Sequence, residues 1–132
     1  IALLIICIVS ILLLASSKKN NNKDANFSII SKENKNNQIV YTVSQKGYGG
    51  SIKAEVIISN DRISAVNIIS NHETKDKYQM VMDNNYIDKL IREQNNLDDV
   101  DTISGATVTS TALKKMLINV MEDYKWKNLK VY

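Results

Sequence analysis

Residues 52–69 read IKAEVIISNDRISAVNII, and this stretch decides the fold class. Its first half alternates apolar residues with charged Lys53 and Glu55, as a strand that buries one face does. Asn60 and Asp61 follow, and both residue types tolerate the positive φ that a two-residue hairpin turn requires. The pattern therefore predicts two antiparallel strands joined at Asn60-Asp61, the second running over 62–69.

A further strand is predicted before this hairpin. Residues 38–44 alternate in the same way, with Ile39, Tyr41 and Val43 on one side. Between the two strands, residues 47–50 read GYGG, and three glycines in four positions predict a tight turn or a close backbone approach. The three strands form an antiparallel meander whose apolar face needs a cover.

The second half of the chain is predicted to supply that cover as helices. Apolar residues recur at helical spacing over 76–94, where Asn84-Asn85 divides the segment in two. The last segment carries an apolar stripe formed by Leu113, Met116, Leu117, Val120, Met121 and Tyr124. The prediction is an α+β fold, with a small antiparallel sheet packed against two or three helices.

Composition excludes several kinds of site. The chain has 132 residues and a net charge of +3, but its lysines are scattered and do not interleave with aromatics, so no nucleic-acid partner is predicted. One cysteine, Cys7, and one histidine, His72, cannot build a zinc or iron–sulfur site. They give equally little support to a cysteine or serine hydrolase. We therefore predict no metal ligands and no catalytic residues, and we interpret His72 as a surface residue.

The first fifteen residues, IALLIICIVSILLLA, carry no charge. Residues 1–17 are predicted to be either a membrane anchor or a secretory signal that ends near Ala15-Ser16-Ser17. Both interpretations place the rest of the chain outside the cytoplasm, and the anchor is preferred. The positive-inside rule, applied to Lys18, Lys19 and Lys23 alone, favours the opposite orientation. Residues 18–38, rich in Lys, Asn and Ser, are predicted to be a polar tether with one short ordered piece over 27–30, and residues 39–132 to be the domain.

Residues 101–110 read DTISGATVTS and precede the last predicted helix. If that helix begins near Thr109 or Ser110, its free N–H groups and positive dipole end face residues 104–107, which suits an anion such as phosphate. Gly105 lets the backbone curl, and Ala106 keeps bulk away. A helix cap after a turn explains the same residues, so both interpretations remain open.

Residues 101–107, DTISGAT, fit the D-x-x-(S/T)-G-A-T sequence at which bacterial flavin transferases attach FMN. The GYGG segment at 47–50 and Asn71-His72-Glu73-Thr74 stand in register with it. Over residues 46–122 the chain resembles the FMN-binding domains of the G subunit of Rnf-type complexes. The C subunit of the sodium-translocating NADH:quinone oxidoreductase and small anchored flavoproteins contain similar domains.

The resemblance implies a phosphoester between FMN and the hydroxyl of Thr107. A separate flavin transferase would form it from FAD, using a divalent metal that belongs to that enzyme. The resemblance also implies a phosphate-holding role for Ser104 and for the backbone of Gly105 and Ala106. Thr109 and Ser110 are expected to add hydroxyl donors or to cap the helix.

Three acidic or hydroxyl residues complete the implied cofactor site. Asp101 matches the motif acid, as a recognition or orienting group. Glu73 and Thr74 match a Glu-Thr pair that lies beside the flavin ring. In the family this pair often continues Pro-Gly, whereas here Lys75-Asp76 follows.

The function implied is an extracytoplasmic electron carrier that takes electrons from a membrane redox donor and passes them to an acceptor outside. The flavin supplies the redox chemistry, so no catalytic base is needed. Because the Pro-Gly continuation is absent, a stand-alone anchored carrier is favoured over a subunit of an ion-translocating oxidoreductase. A flavin-free surface module is the other alternative, and it would be expected to lose Thr107 or its neighbours.

Overall fold

A computed structural model describes residues 24–129 of the chain, and the side chains as far as Lys127. The elements are, in chain order, β1 (Phe27–Lys35), β2 (Gln38–Lys46), β3 (Ser51–Ser59), β4 (Arg62–Asn71), α1 (Lys75–Asp83), α2 (Tyr86–Arg92), a 3-10 helix (Gln94–Asp99) and α3 (Thr107–Leu129). The strands form one antiparallel sheet in the order β1-β2-β3-β4. The helices follow the sheet in the chain, so the predicted α+β fold is confirmed.

The two-residue turns of the sheet have positive φ angles at both positions, as predicted for Asn60-Asp61. Asn60 and Asp61 join β3 to β4 with φ angles of 54° and 63°. Asn36 and Asn37 join β1 to β2 in the same way, with φ angles of 49° and 64°. A two-residue turn with positive φ at both positions matches the twist of the flanking strands, so both hairpins are set locally.

The sheet begins earlier than predicted. Residues 27–35, assigned to the polar tether, form β1 and pair with β2 from Phe27 opposite Gln45 to Lys35 opposite Gln38. An edge strand needs only one paired side, and here Phe27 and Ile29 alone pack against the buried core. The prediction of a tether over this part of the chain is therefore wrong, because backbone pairing with β2 compensates for a polar sequence.

The predicted anchor or signal, residues 1–17, lies outside the described residues. No helix within residues 24–129 combines the length and the apolar character needed to span a bilayer.

One face of the sheet is buried under the helices. The buried apolar residues of the strands are Tyr41, Val43, Ile52, Ala54, Val56, Ile58 and Ile63. From α3 the buried residues include Leu113, Met116, Leu117, Val120 and Tyr124, as the apolar stripe predicts. Asn84-Asn85 separates α1 from α2, as predicted, and Asn85 has a φ of 51°. The long helix α3 packs against β2 and β3, and Thr109 and Ser110 in its first turns are buried.

A buried amide joins the helical half to the edge of the sheet. The Gln94 Oε1 accepts the Ile63 N–H at 2.7 Å, and Nε2 donates to the Ile63 and Ile91 carbonyls at 3.0 and 2.8 Å. Burying a side-chain amide costs free energy unless its donors and acceptor are hydrogen-bonded. These three bonds satisfy most of the hydrogen-bonding capacity of the Gln94 amide. Gln94 therefore fixes the 3-10 helix against β4, a role for which the sequence carries no local signal.

A second polar contact fastens the far part of α3 to the sheet. Tyr41 is fully buried, and its hydroxyl donates to Asp123 Oδ2 at 2.8 Å. The Lys32 ammonium lies 5.2 Å from the centre of the Tyr41 ring and 4.0 Å from Asp123. Burial, with the hydrogen bond to Asp123 and its charge, raises the pKa of the Tyr41 hydroxyl far above its usual value. The folded state therefore strongly favours the neutral phenol.

This pKa shift predicts a pH dependence of stability. The pKa of Tyr41 is raised in the folded state, so its contribution is complete below the unfolded-state pKa of about 10 and is lost as pH rises above it. At pH 7, Tyr41→Phe is expected to lower the free energy of unfolding by about 1–2 kcal/mol. Urea unfolding between about pH 9 and about pH 11 should show this difference shrinking. Tyr48→Phe, at a residue 61% exposed, is the control and should follow the wild-type pH profile. A difference for Tyr41→Phe that stays constant with pH would contradict the prediction.

Candidate functional site

Residues 103–106 form the turn that leads into α3. The Ala106 N–H donates to the Ile103 carbonyl at 2.9 Å, and Gly105, the third residue of the turn, has a φ of +87°. Side chains rarely tolerate that conformation, whereas glycine adopts it freely. A Cβ at Gly105 would also lie 2.7 Å from Met80 Cε, so α1 covers the turn closely. The backbone conformation therefore favours glycine here, whereas the flexible Met80 side chain could move to make room for a Cβ.

Helix α3 begins at Thr107, earlier than the start near Thr109 or Ser110 that the sequence predicted. Its first backbone bond from the helix into the turn runs from the Ser110 N–H to the Ala106 carbonyl, at 2.9 Å. The N–H groups of Thr107, Val108 and Thr109 precede that bond and have no intrahelical acceptor. The Thr107 side chain is exposed. A free hydroxyl thus stands on the first residue of a helix, next to unpaired N–H groups and the positive dipole end.

The other predicted phosphate contacts divide between surface and interior. Ser104 and Gly105 are exposed, whereas Ala106, Thr109 and Ser110 are buried. The Ser110 hydroxyl donates to the Ala106 carbonyl at 2.8 Å and accepts the Ile103 N–H at 3.0 Å, so it fastens the turn to the helix. Among the described residues, Thr109 Oγ1 has no hydrogen-bond partner. The Ser110 hydroxyl accepts the N–H of Ile103, which precedes the helix, so it ties the turn to α3 and leaves the N–H groups of the first helical turn uncapped.

Asp101 lies exposed just before the turn. Its charge acts on the hydroxyl of Tyr86, the first residue of α2, whose pKa is raised chiefly by burial and further by Asp101. Tyr86 is fully buried. Asp101 is therefore an exposed charge that precedes the 103–106 turn and acts electrostatically on Tyr86.

Lys77 is a residue near the turn that the sequence analysis missed. It lies in the first turn of α1, and its ammonium donates to the Gly105 carbonyl at 2.6 Å. This contact brings a positive charge to the turn that precedes Thr107. The only sequence signal was its position three residues after Thr74, which places it on the same helix start as the Glu-Thr pair.

Glu73 organises the glycine loop, defined as residues 47–50. Glu73 is 9% exposed, and its carboxylate accepts the N–H groups of Tyr48, at 2.8 Å, and of Gly49. A Cβ at Gly47 would lie 2.0 Å from Glu73 Oε1, and one at Gly49 would lie 2.9 Å from the Thr74 nitrogen. The loop wraps closely around the Glu-Thr segment, so glycines and acid form one unit. Thr74 itself is exposed at the start of α1.

A cleft of about 230 Å³ separates the end of β2 from the first turns of α3. One wall includes Gln45, Lys46 and Gly47, and the other includes Val108, Thr111 and Lys115. Val108 directly follows Thr107 in α3. Gly47 belongs both to the cleft and to the loop that Glu73 holds. The glycine loop that Glu73 holds and the start of α3 therefore border the same cleft.

Comparison with known proteins agrees with this geometry. Residues 47–122 match the family described as the FMN-binding domain, and this range contains the glycine loop, Glu73 and Thr107. A similar protein is the G subunit of the proton-translocating ferredoxin:NAD(+) oxidoreductase complex of Clostridium ljungdahlii. It is 28% identical over 103 residues, which cover 70% of this chain and 56% of that protein, so the chain spans about half the length of this curated relative. The chain belongs to the FMN-binding domain family.

Proposed function

We propose that this protein is an extracytoplasmic electron-transfer flavoprotein that carries FMN on a phosphoester to Thr107. The observation that carries the proposal is the position of Thr107, an exposed hydroxyl on the first residue of α3. A phosphate on that hydroxyl would lie beside the free N–H groups of the first turn and the positive end of the helix dipole. The anchor that keeps the domain at the membrane is the segment 1–17.

The residues around Thr107 fit the phosphate of FMN. Gly105 adds no side chain of its own to the turn, where the Met80 methyl packs, and Ser104 adds an exposed hydroxyl. The Lys77 ammonium on the Gly105 carbonyl supplies a nearby positive charge. When bound, FMN supplies electron transfer in one- or two-electron steps. The chain itself attaches the cofactor, neutralises its phosphate and presents it at the surface.

Attachment is a group transfer performed by a separate flavin transferase, with its own divalent metal. Thr107 Oγ1 attacks the FMN phosphorus of FAD, forming a new O–P bond as the pyrophosphate bond breaks. AMP leaves with the bridging oxygen, and the hydroxyl proton passes to solvent. The step changes no oxidation state. It needs a threonine that another protein can reach, and the exposure of Thr107 supports this.

The intact mass of the full chain tests the proposal directly. After co-expression with a flavin transferase, the wild-type protein should gain the mass of FMN less one water. Thr107→Ala should abolish the gain, and Thr107→Ser should retain a hydroxyl at which it can occur. Thr102→Ala, the same substitution within the motif, is the matched control and should be modified fully. No added mass with a transferase that modifies another substrate would refute covalent attachment and leave the flavin-free module.

The relative from Clostridium ljungdahlii favours a second candidate, a subunit of a membrane ion-translocating oxidoreductase. In this case the electron donor and acceptor are other subunits rather than diffusing partners. Gentle solubilisation of native membranes followed by affinity purification distinguishes the two functions. Stoichiometric recovery with other redox subunits supports the complex, and recovery alone supports the stand-alone carrier.

A further inference from the structure

The chain enters the domain at the same end of the molecule at which α3 begins with Thr107. Asp24 is the first residue that the structure describes. Two residues later, the Asn26 carbonyl accepts the Lys46 N–H at 2.9 Å, and Asn26 lines one cleft together with Val108, the residue after Thr107. This part of the molecule, the proximal end, is defined as Asp24, Asn26, Lys46, Thr107 and Lys115.

The lysines at the opposite, distal end have acidic partners. Helix α3 runs away from the proximal end, and Lys32 and Lys127 each lie 4.0 Å from Asp123 in its later turns. Lys35 lies 3.3 Å from Glu33 beside the turn between β1 and β2, and β2 leads from that turn to the proximal end. Much of the positive charge at the distal end is therefore balanced within the domain.

Two lysines at the proximal end have no such partner. The side chains of Lys46 and Lys115 are exposed, and among residues 24–127 neither has a carboxylate within 4.0 Å. The nearby Asp24 carboxylate is already bonded to the Asn26 N–H, at 3.0 Å, and to the Gln45 amide, at 3.1 Å. The two ammonium groups are therefore available to an external anionic surface.

The acidic residues near the start of α3 lie on another side of the helix. Lys114 donates to the carbonyls of Asp98 and Val100, at 2.8 and 2.9 Å. Lys115, the next residue, points about 100° further round the helix and lines the cleft against the end of β2. The acidic segment 98–101 is thus held on the Lys114 side, and the side of α3 that faces the cleft carries Lys115.

The link between the domain and the apolar segment 1–17 is short. Residues 18–23 join that segment to Asp24, and a chain of this length reaches at most about 25 Å when fully extended. The link itself contains Lys18, Lys19 and Lys23. Helix α3, with 23 residues, is about 35 Å long. The link therefore keeps the proximal end near an anchored segment but leaves the orientation of the domain to its surface charges.

We propose that the proximal end docks on an anionic phospholipid surface through Lys46 and Lys115, which places the start of α3 beside the bilayer. The inference rests on the proposed anchor, residues 1–17. A basic residue near anionic headgroups strengthens binding about fivefold, provided that it lies within the screening length of about 8 Å. The lysines of the distal end gain less because carboxylates already balance them. Thr107 is then held close to the membrane donor of the proposed function.

Acetylation of surface lysines tests which end contacts the lipids. The full chain is placed in nanodiscs of phosphatidylcholine alone, or of phosphatidylcholine and phosphatidylglycerol in equal parts, and mass spectrometry of peptides gives the rate at each lysine. In the anionic nanodiscs Lys46 and Lys115 should react about fivefold more slowly, and high salt should restore their rates. Lys125, exposed on α3 about 15 Å beyond Lys115, is the matched control and should react equally in both. The nanodiscs contain no other protein, so protection must come from lipid.

Energy transfer from tryptophan to dansyl-labelled lipid headgroups tests the orientation. Trp126 is the single tryptophan, and it lies about 27 Å beyond Val108 along α3. Docking by the proximal end holds Trp126 away from the anionic bilayer, so transfer should be weaker there than in phosphatidylcholine nanodiscs. The double variant Lys46→Gln/Lys115→Gln should lose this difference. Lys125→Gln/Lys127→Gln removes the same charge from the distal end and should behave like the wild type. Thermal melts followed by circular dichroism confirm that both variants are folded.

The outcomes separate this inference from the proposed function. If the full chain does not enter nanodiscs, the proposed anchor fails, and the docking fails with it. If the chain enters them and Lys46 and Lys115 react equally in both lipids, the docking is overturned, while the anchor and the attachment at Thr107 stand. If Lys46→Gln/Lys115→Gln transfers energy like the wild type in anionic nanodiscs, these lysines do not orient the domain, and the inference is overturned as well.

Discussion

Glu73→Ala is expected to lower the free energy of unfolding by about 2–3 kcal/mol, although it removes no part of the apolar core. The carboxylate accepts two N–H groups of the glycine loop, from Tyr48 and Gly49. Hydrogen bonds to an ionised acceptor are stronger than neutral ones, and these two add to the backbone bond from the Gly47 N–H to the Gly50 carbonyl, at 2.7 Å, that closes the loop. Urea unfolding measures the loss. Glu122→Ala, at an exposed acid on α3, should change stability by less than about 0.5 kcal/mol.

Local opening of the loop gives a second measurement of the same effect. Lys46 is the last residue of β2, directly before the glycine loop, so trypsin cleavage after it reports on loop mobility. Cleavage should be faster in Glu73→Ala than in the wild type under native conditions. Glu73→Gln keeps one acceptor oxygen and should be intermediate in both measurements. A Glu73→Ala protein as stable and as resistant as the wild type would show that the carboxylate does not hold the loop.

Gly47→Ala is expected to lower the free energy of unfolding by a similar amount, because the added Cβ displaces the Glu73 carboxylate. A Cβ at this position would lie 2.0 Å from Glu73 Oε1, so the carboxylate must leave its place and give up its bonds to the loop. The single variant should therefore lose about 2–3 kcal/mol of stability. In a Glu73→Ala background the obstruction is gone, and the same substitution should cost little. The coupling energy of this double-mutant cycle should be about 2 kcal/mol.

Gly50 offers the matched control for the cycle. A Cβ there would lie 2.6 Å from His72 Cβ and 3.0 Å from the His72 carbonyl oxygen, atoms that Glu73→Ala leaves in place. Gly50→Ala should therefore cost the same in both backgrounds. If Gly47→Ala were equally additive with Glu73→Ala, the close contact between Gly47 and the carboxylate would not be the cause of its cost.

The local features of this fold could be predicted because neighbouring residues specify them. The alternation over 52–58 and the positive φ at Asn60-Asp61 need no distant partner, and the structure has both. The same is true of the apolar stripe of α3 and of the break at Asn84-Asn85. Family membership was also readable from sequence, since the motif around Thr107 is contiguous.

Other features required the assembled fold. The strand over 27–35 is polar, and what makes it a strand is backbone pairing with β2. Helix α3 begins at Thr107 because a turn ends at Ala106. The sequence around this point does not by itself show where the helix begins. Sequence patterns indicate which side chains are buried. Neither the strand over 27–35 nor the start of α3 depends on burying a regular apolar face, so these patterns do not reveal them.

By itself, the sequence determined the meander, the helices and the motif that contains Thr107. Only the tertiary structure decided what surrounds that motif: Lys77 on the Gly105 carbonyl, Glu73 inside the glycine loop, and Lys115 at the cleft. These contacts join residues far apart in the chain. Their partners are chosen by how the helices pack on the sheet, and no local periodicity encodes that choice.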